Sequence, residues 1–248
     1  TGSTKLIHAN SGAYGTAENR QDLWVTLGEG VVSNNGWIGG HTSGDLYGNI
    51  NLRFAEGSIG KSTVIGAVNG GTFMNEIYAG NKTDGTISQG TSLTITGTNA
   101  ILGKADGDNW AWTLLCGGNK TSGTINGGTT ITLKDIAATT GNGTEHKFDK
   151  YAGTIDGKGG GTVNGEKKLV FDHYTASFLG TLQNFDKVQV TGNSDLTLDK
   201  ALGNTVSSLA VDQGSTLRFN EDQGASLDIS NNGTIRISRN LTLKSADT

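Results

Sequence analysis

The last third of the chain carries one short pattern at nearly constant spacing, and that pattern limits the folds open to it. Val188-Gln189-Val190 is followed by Leu196-Thr197-Leu198, Leu209-Ala210-Val211 by Leu217-Arg218-Phe219, and Leu227-Asp228-Ile229 by Ile235-Arg236-Ile237. Each unit reads apolar-x-apolar, polar bend, apolar-x-apolar. Alternation with a period of two marks half-buried strands, because successive strand side chains point to opposite faces. The bends between them, such as Thr191-Gly192-Asn193-Ser194-Asp195 and Asp212-Gln213-Gly214-Ser215-Thr216, supply turn residues. The units start 21 and 18 residues apart (188 to 209, 209 to 227). A repeat of about 20 residues that holds two short strands predicts a solenoid.

A longer repeat precedes it. Gly39-Gly40-His41-Thr42-Ser43-Gly44-Asp45-Leu46 matches Ala79-Gly80-Asn81-Lys82-Thr83-Asp84-Gly85-Thr86-Ile87, and that matches Gly117-Gly118-Asn119-Lys120-Thr121-Ser122-Gly123-Thr124-Ile125. Lys150-Tyr151-Ala152-Gly153-Thr154-Ile155 is a degenerate fourth copy. Behind the copies stand Leu52-Arg53-Phe54, Leu93-Thr94-Ile95, Ile131-Thr132-Leu133 and Leu169-Val170-Phe171, whose starts are 41, 38 and 38 residues apart. A period near 40 also suits a β-propeller blade. Leu169 to Val188, however, is 19 residues, half of 38. The expectation is therefore that each 38-residue repeat is two coils of about 19, with Trp112-Thr113-Leu114 at a midpoint.

This makes the fold class all-β, a single-stranded parallel β-helix with coils of about 18–21 residues. Roughly 11 or 12 such coils, stacked about 4.8 Å apart, give a rod of about 55 Å. Residues 1–23 are expected to be an N-terminal cap or an incomplete first coil, and 24–248 the helix proper, beginning with short strands at Trp24-Val25-Thr26-Leu27 and Val31-Val32. Leu241-Thr242-Leu243-Lys244-Ser245 still reads as strand, so the rod is expected to continue past it. Forty Gly and no Pro fit this geometry: corners need φ > 0, and a Pro would lack the N–H that the intercoil ladder uses.

A net charge of −4 with no basic run argues against nucleic acid as a partner. No stretch of 18 apolar residues is present, so no membrane-spanning helix is expected in this sequence. The single cysteine, Cys116, permits neither an intrachain disulfide nor a cysteine zinc site, and reads as a small core residue.

Several motifs carry possible chemistry. Ala55-Glu56-Gly57-Ser58-Ile59-Gly60-Lys61-Ser62 satisfies a loose phosphate-loop pattern, but Thr63-Val64-Ile65-Gly66 after it is not helical, so the match is one of composition. Asp106-Gly107-Asp108-Asn109-Trp110-Ala111-Trp112 mixes acids and aromatics as sugar-binding or calcium-binding loops do. It lacks further oxygen ligands at calcium spacing, which leaves Asp106 and Asp108 as candidate binding residues and Trp112 as an inward core residue. Arg218 and Arg236 hold the same place in consecutive coils and are expected to stack outward, a second candidate binding pair. Asp172-His173 and Glu145-His146 are adjacent strand residues, predicted to face opposite ways and form no catalytic pair. The four His (His8, His41, His146, His173) share no metal-ligand spacing, so no metal, cofactor or catalytic residue is assigned. Asn-x-Thr matches such as Asn119-Lys120-Thr121 and Asn142-Gly143-Thr144 follow from composition.

The repeated Gly-Gly-Asn-Lys-Thr-x-Gly-Thr-Ile with its following Thr-x-Leu/Ile-Thr-Ile/Leu strand resembles the repeats of bacterial autotransporter passenger domains. Asn184-Phe185-Asp186-Lys187-Val188-Gln189-Val190-Thr191-Gly192-Asn193-Ser194 is similar to their late coils, and the resemblance covers about residues 36 to 243. It implies a right-handed β-helix exported across the outer membrane to the bacterial cell surface or secreted, with a membrane barrel in a following segment. It also implies an adhesin or interaction rod, non-enzymatic, whose partner is a host or neighbouring-cell glycan or protein. Unpaired strand edges leave self-association along the rod as a further expectation. The alternatives are a β-helix polysaccharide lyase or hydrolase, which needs clustered acids and cations on one wall, and a structural spacer.

Overall fold

The computed structural model describes residues 6–7, 12–27, 37–54, 64–65, 76–98, 101–106, 109–139 and 147–243. Val31-Val32, the phosphate-loop match at 55–62, Asp108, His8, Asn142-Gly143-Thr144, Glu145-His146 and residues 244–245 lie outside them. Among the described residues the strands are short and stack in parallel sheets, the arrangement of a parallel β-helix. The one antiparallel pair among the described residues is the hairpin of Ile101–Asp106 with Asn109–Trp112.

The main sheet has nine strands: Leu23–Leu27, Ile50–Phe54, Thr91–Thr96, Thr129–Ala137, Lys167–Thr175, Lys187–Thr191, Ser208–Val211, Gln223–Asn231 and Leu241–Leu243. A six-stranded sheet contains Trp37–His41, Glu76–Asn81, Leu114–Cys116, Thr154–Asp156 and Thr181–Gln183 after an opening strand at Leu6–Ile7. A three-stranded sheet (Thr86–Ile87, Thr124–Ile125, Thr162–Val163) joins these two walls in the N-terminal part. A four-stranded sheet (Ser177–Phe178, Asp195–Leu198, Thr216–Phe219, Thr234–Ile237) replaces it in the C-terminal part.

The register corrects the expected coil length. Leu52 pairs with Leu93, Leu93 with Ile131, and Ile131 with Leu169, so each 38- or 41-residue repeat is one coil. The halving holds only from Leu169 on, where Leu169 pairs with Val188 and Val188 with Leu209. Trp112-Thr113-Leu114 is therefore not a midpoint on the main sheet; it ends the hairpin and starts the next strand of the six-stranded wall. Physically, a long coil carries three wall strands plus a returning segment, whereas a coil from Lys187 on carries one main-sheet strand and one strand of the four-stranded sheet. Among the described residues nine main-sheet strands stand in place of the expected 11 or 12 coils, a stack of about 40 Å at the usual strand spacing. One late pairing also differs: Leu209 meets Ile229, not Leu227, while Leu217 meets Ile235 at the expected 18 residues.

Inward residues form columns. Leu52, Leu93, Ile131, Leu169, Val188 and Leu209 are fully buried along one, Ile95, Leu133, Phe171, Val190 and Val211 along the next. Opposite them Ile77, Leu115, Ile155 and Leu182 join the same apolar cluster, which shows that the walls share one core. Where long coils give way to short ones, aromatics fill the changing cross-section. Phe148 stacks on Tyr151 at 5.1 Å, Phe171 meets Tyr174 edge-on at 5.2 Å and Phe178 at 5.4 Å. Tyr151 places its hydroxyl 2.5 Å from the Thr113 carbonyl and 2.8 Å from that of Thr154. Trp112 packs on this cluster, edge to Tyr151 at 5.4 Å, in keeping with an inward residue.

The Gly-Gly-Asn-Lys-Thr-x-Gly motif is a corner. Gly44, Gly85 and Gly123 have φ of 94°, 106° and 89°. A Cβ on Gly85 would lie 2.0 Å from the Gly44 carbonyl oxygen, so both conformation and stacking distance demand glycine there. Beside this column runs a buried polar one, His41, Asn81 and Asn119, all fully buried. The Asn81 Nδ2 donates to the carbonyls of Asp84 (2.9 Å) and Gly44 (3.3 Å), and its Oδ1 accepts from His41 Nδ1 (2.8 Å). Asn119 Oδ1 in turn accepts the Asn81 backbone N–H at 2.8 Å. Side chains thus satisfy corner groups that strand pairing leaves over.

Candidate functional site on the outer main-sheet face

Because Leu23, Val25, Ile50, Leu52, Leu93 and Ile95 point inward, their neighbours in sequence point out. Register sets these outward residues in columns. One runs Trp24, Asn51, Ser92, Thr130, Lys168, Lys187; the next Thr26, Arg53, Thr94, Thr132, Val170, Gln189; a third Thr96, Lys134, Asp172, Thr191. Over the first four strands they line an open groove of about 390 Å³, bounded by Trp24, Asn51, Arg53, Ser92, Thr94, Thr96, Lys134 and Asp135. Trp24 is 61% exposed, the most exposed large apolar side chain among the described residues. Ser92 Oγ donates to Asn51 Oδ1 at 2.8 Å, which orients the amide beside the indole column.

At the far end of the groove the chain bends. Asp135 and His173, stacked one coil apart, have φ of 54° and 51°, in the left-handed region. Such a residue breaks the strand alternation, so His173 turns to the same side as its neighbour. His173 Nδ1 lies 2.9 Å from Asp172 Oδ1 and 3.8 Å from Asp135 Oδ1, and Lys134 Nζ lies 3.0 Å from Asp172 Oδ2. The expectation that Asp172 and His173 face opposite ways is corrected: period-two reasoning fails at a left-handed residue. Gly192, φ 66°, permits this crowding, since a Cβ there would sit 2.2 Å from Asp172 Oδ1. The result is a cation, a carboxylate and an imidazole in contact on the edge of a polar, aromatic-rimmed groove.

A second cluster lies on the six-stranded wall. Cys116 is fully buried beside Tyr78, and burial, reinforced by nearby Asp156, raises its thiol pKa well above the ordinary range. The thiol is thus held neutral and unreactive, as a core residue should be. Tyr78 is pushed up to about 12, chiefly by burial and then by Cys116 and Asp156. Lys120 ion-pairs with Glu76 and stands 5.8 Å over the Tyr78 ring. Its ammonium pKa is lowered by burial. The four groups lock a corner of the six-stranded wall.

The two arginines singled out from sequence fall elsewhere. Arg218 and Arg236 are register partners in the four-stranded sheet, as the coil spacing predicts. Arg218 is ion-paired with Asp195, so the two arginines do not act as a bare dication; Arg236 is exposed. Asp106 ends the first hairpin strand, paired in register with Asn109, and Asp108 is outside the described residues. Neither arginine lines the groove. Trp24, Arg53, Lys134 and Asp135 carried no motif, and Asp172-His173 reads from sequence as a pair facing opposite ways. Their signal was outward parity at equal register, legible only once the long coils are known to be single.

Among the described residues no group of three or more His, Cys, Asp or Glu is placed to hold a metal, and no helix is long and apolar enough to cross a membrane. Compared with family models, curated proteins and solved structures, the chain finds no match.

Proposed function

We propose that this chain is a non-catalytic interaction rod, an adhesin of the passenger type that its repeats resemble, exported to a bacterial surface. It holds an extended glycan along the outer face of the main sheet. The observation that carries this reading is the groove itself. An exposed Trp24 at one end offers a platform for a sugar ring, and Asn51, Arg53, Ser92 and Thr94 offer hydroxyl, amide and guanidinium groups to its oxygens. One carboxylate, Asp135, lines the groove, and Asp172 stands next to it. That is short of the three clustered acids that would favour the polysaccharide-active alternative.

A second reading has one observation in its favour. Asp172 orients His173 at 2.9 Å, and an oriented imidazole can take a proton from a bound sugar. One experiment separates the two. The protein is printed against a glycan and matrix-protein array, beside a Trp24→Ala variant. Glycan binding that drops at least tenfold in the variant supports the adhesin. Release of oligosaccharide products, lost in His173→Ala, replaces it with the enzyme. Binding to no class leaves a spacer.

A further inference from the structure

The outer main-sheet face is more cationic than the chain that carries it. The molecule has a net charge of −4, yet the strands from Ile50–Phe54 to Lys187–Thr191 turn Arg53, Lys134, Lys168 and Lys187 outward. Lys134 is matched by Asp172 at 3.0 Å. Arg53, Lys168 and Lys187 have no carboxylate partner among the described residues, and Lys168 and Lys187 are direct register neighbours. Two lysines one strand apart repel each other unless a shared anion answers them. Several other cations are answered: Lys167 by Asp186 at 2.6 Å, Lys120 by Glu76, Arg218 by Asp195. Three cations unanswered among the described residues, Arg53, Lys168 and Lys187, thus share the face that bears the groove.

We infer that the ligand of this face is an acidic linear polysaccharide, laid across the strands from the Trp24–Arg53 end toward Lys168 and Lys187. From the strand of Arg53 to that of Lys187 is four strand spacings, about 19 Å. A chain of a few sugars spans that length, so its spaced carboxylate or sulfate groups can reach both ends while a ring rests on Trp24. The inference rests on the glycan-binding reading and specifies its charge. Charge complementarity selects an anionic chain, and the hydroxyl and amide lining selects sugar over nucleic acid, whose dense phosphates would meet few further cations.

The test measures binding of the protein by calorimetry to polygalacturonate and to dextran sulfate. Methyl-esterified polygalacturonate and dextran serve as uncharged counterparts, and a single-stranded oligothymidylate as the competing polyanion. The expected result is binding to at least one acidic polysaccharide, at least tenfold tighter than to its neutral counterpart. That binding weakens about tenfold or more between 50 and 200 mM salt. Arg53→Gln and the double variant Lys168→Gln/Lys187→Gln each weaken it about fivefold with unchanged melting, and Arg218→Gln/Arg236→Gln has no effect. Equal affinity for charged and neutral chains overturns this inference and leaves the glycan reading standing. Binding to no saccharide overturns both. Tighter binding of the oligothymidylate, or loss of binding only in the Arg218/Arg236 variant, overturns the assignment of ligand or of face.

Discussion

Asn81→Ala is expected to be among the most costly single substitutions outside the apolar core. Removing the side chain deletes the acceptor of His41 Nδ1 and the donor to the Asp84 and Gly44 carbonyls, all at a fully buried position. The Asn81 backbone keeps its partners: its N–H donates to Asn119 Oδ1 and its carbonyl accepts from the Lys120 N–H. Each buried group left unsatisfied costs about 1–3 kcal/mol. Two such groups, the His41 nitrogen and the Asp84 carbonyl, give about 2–4 kcal/mol once partial access of water at the corner is allowed. For a chain of this size that is a fall in Tm of about 4–16 °C. Asn164→Ala is the control. It removes an exposed side chain bonded to Asn126 at 3.1 Å and should cost under about 0.5 kcal/mol. Calorimetric melting gives the size of the effect, and hydrogen exchange at the Lys82 and Thr83 amides, which bond the His41 and Thr42 carbonyls, gives its place. If Asn81→Ala melts with Asn164→Ala, the buried ladder is not what holds these corners.

Three further outcomes follow from the same geometry. Deleting 129–166, one 38-residue coil, joins Gly128 to Lys167, whose strand can then pair with Thr91–Thr96 in the vacated register. This variant should fold with a cooperative melt, whereas deleting 19 residues from the same stretch should not; circular dichroism and melting separate them. Gly192→Ala should cost about 1–3 kcal/mol more than Gly97→Ala. Both have φ > 0, but only Gly192 has Asp172 Oδ1 where the methyl must go, and urea melts of the two variants measure the gap. In alkali, Tyr78, Tyr151 and Tyr174 all have folded pKa values raised by burial, Tyr78 to about 12 from 10.0. Stability from these groups is full below pH 10 and is lost as pH rises through the folded values. Tyrosinate absorbance from three of the five tyrosines should therefore lag until near-UV dichroism collapses, and their ionisation near pH 10 in an intact fold would contradict the burial.

Much of the architecture was legible in the sequence. Period-two runs such as Leu93-Thr94-Ile95 and Ile131-Thr132-Leu133 determined which side chains face in, because strand geometry leaves no other choice. Recurrence of Gly at 44, 85 and 123 determined the corners, because stacked left-handed turns admit no Cβ. Only the tertiary structure decided how many residues make one turn of the coil. A 38-residue repeat and two of 19 place apolar residues alike, and the choice rests on which strands exchange backbone hydrogen bonds, a property no side chain encodes alone. That choice in turn brought Trp24, Arg53, Lys134 and Asp172 to one face. The local fold at His173 escaped the sequence for a related reason. A left-handed residue at the end of a strand reverses the expected facing, and its conformation is held by stacking on Asp135 one coil below and by the methyl-free space at Gly192 one coil above.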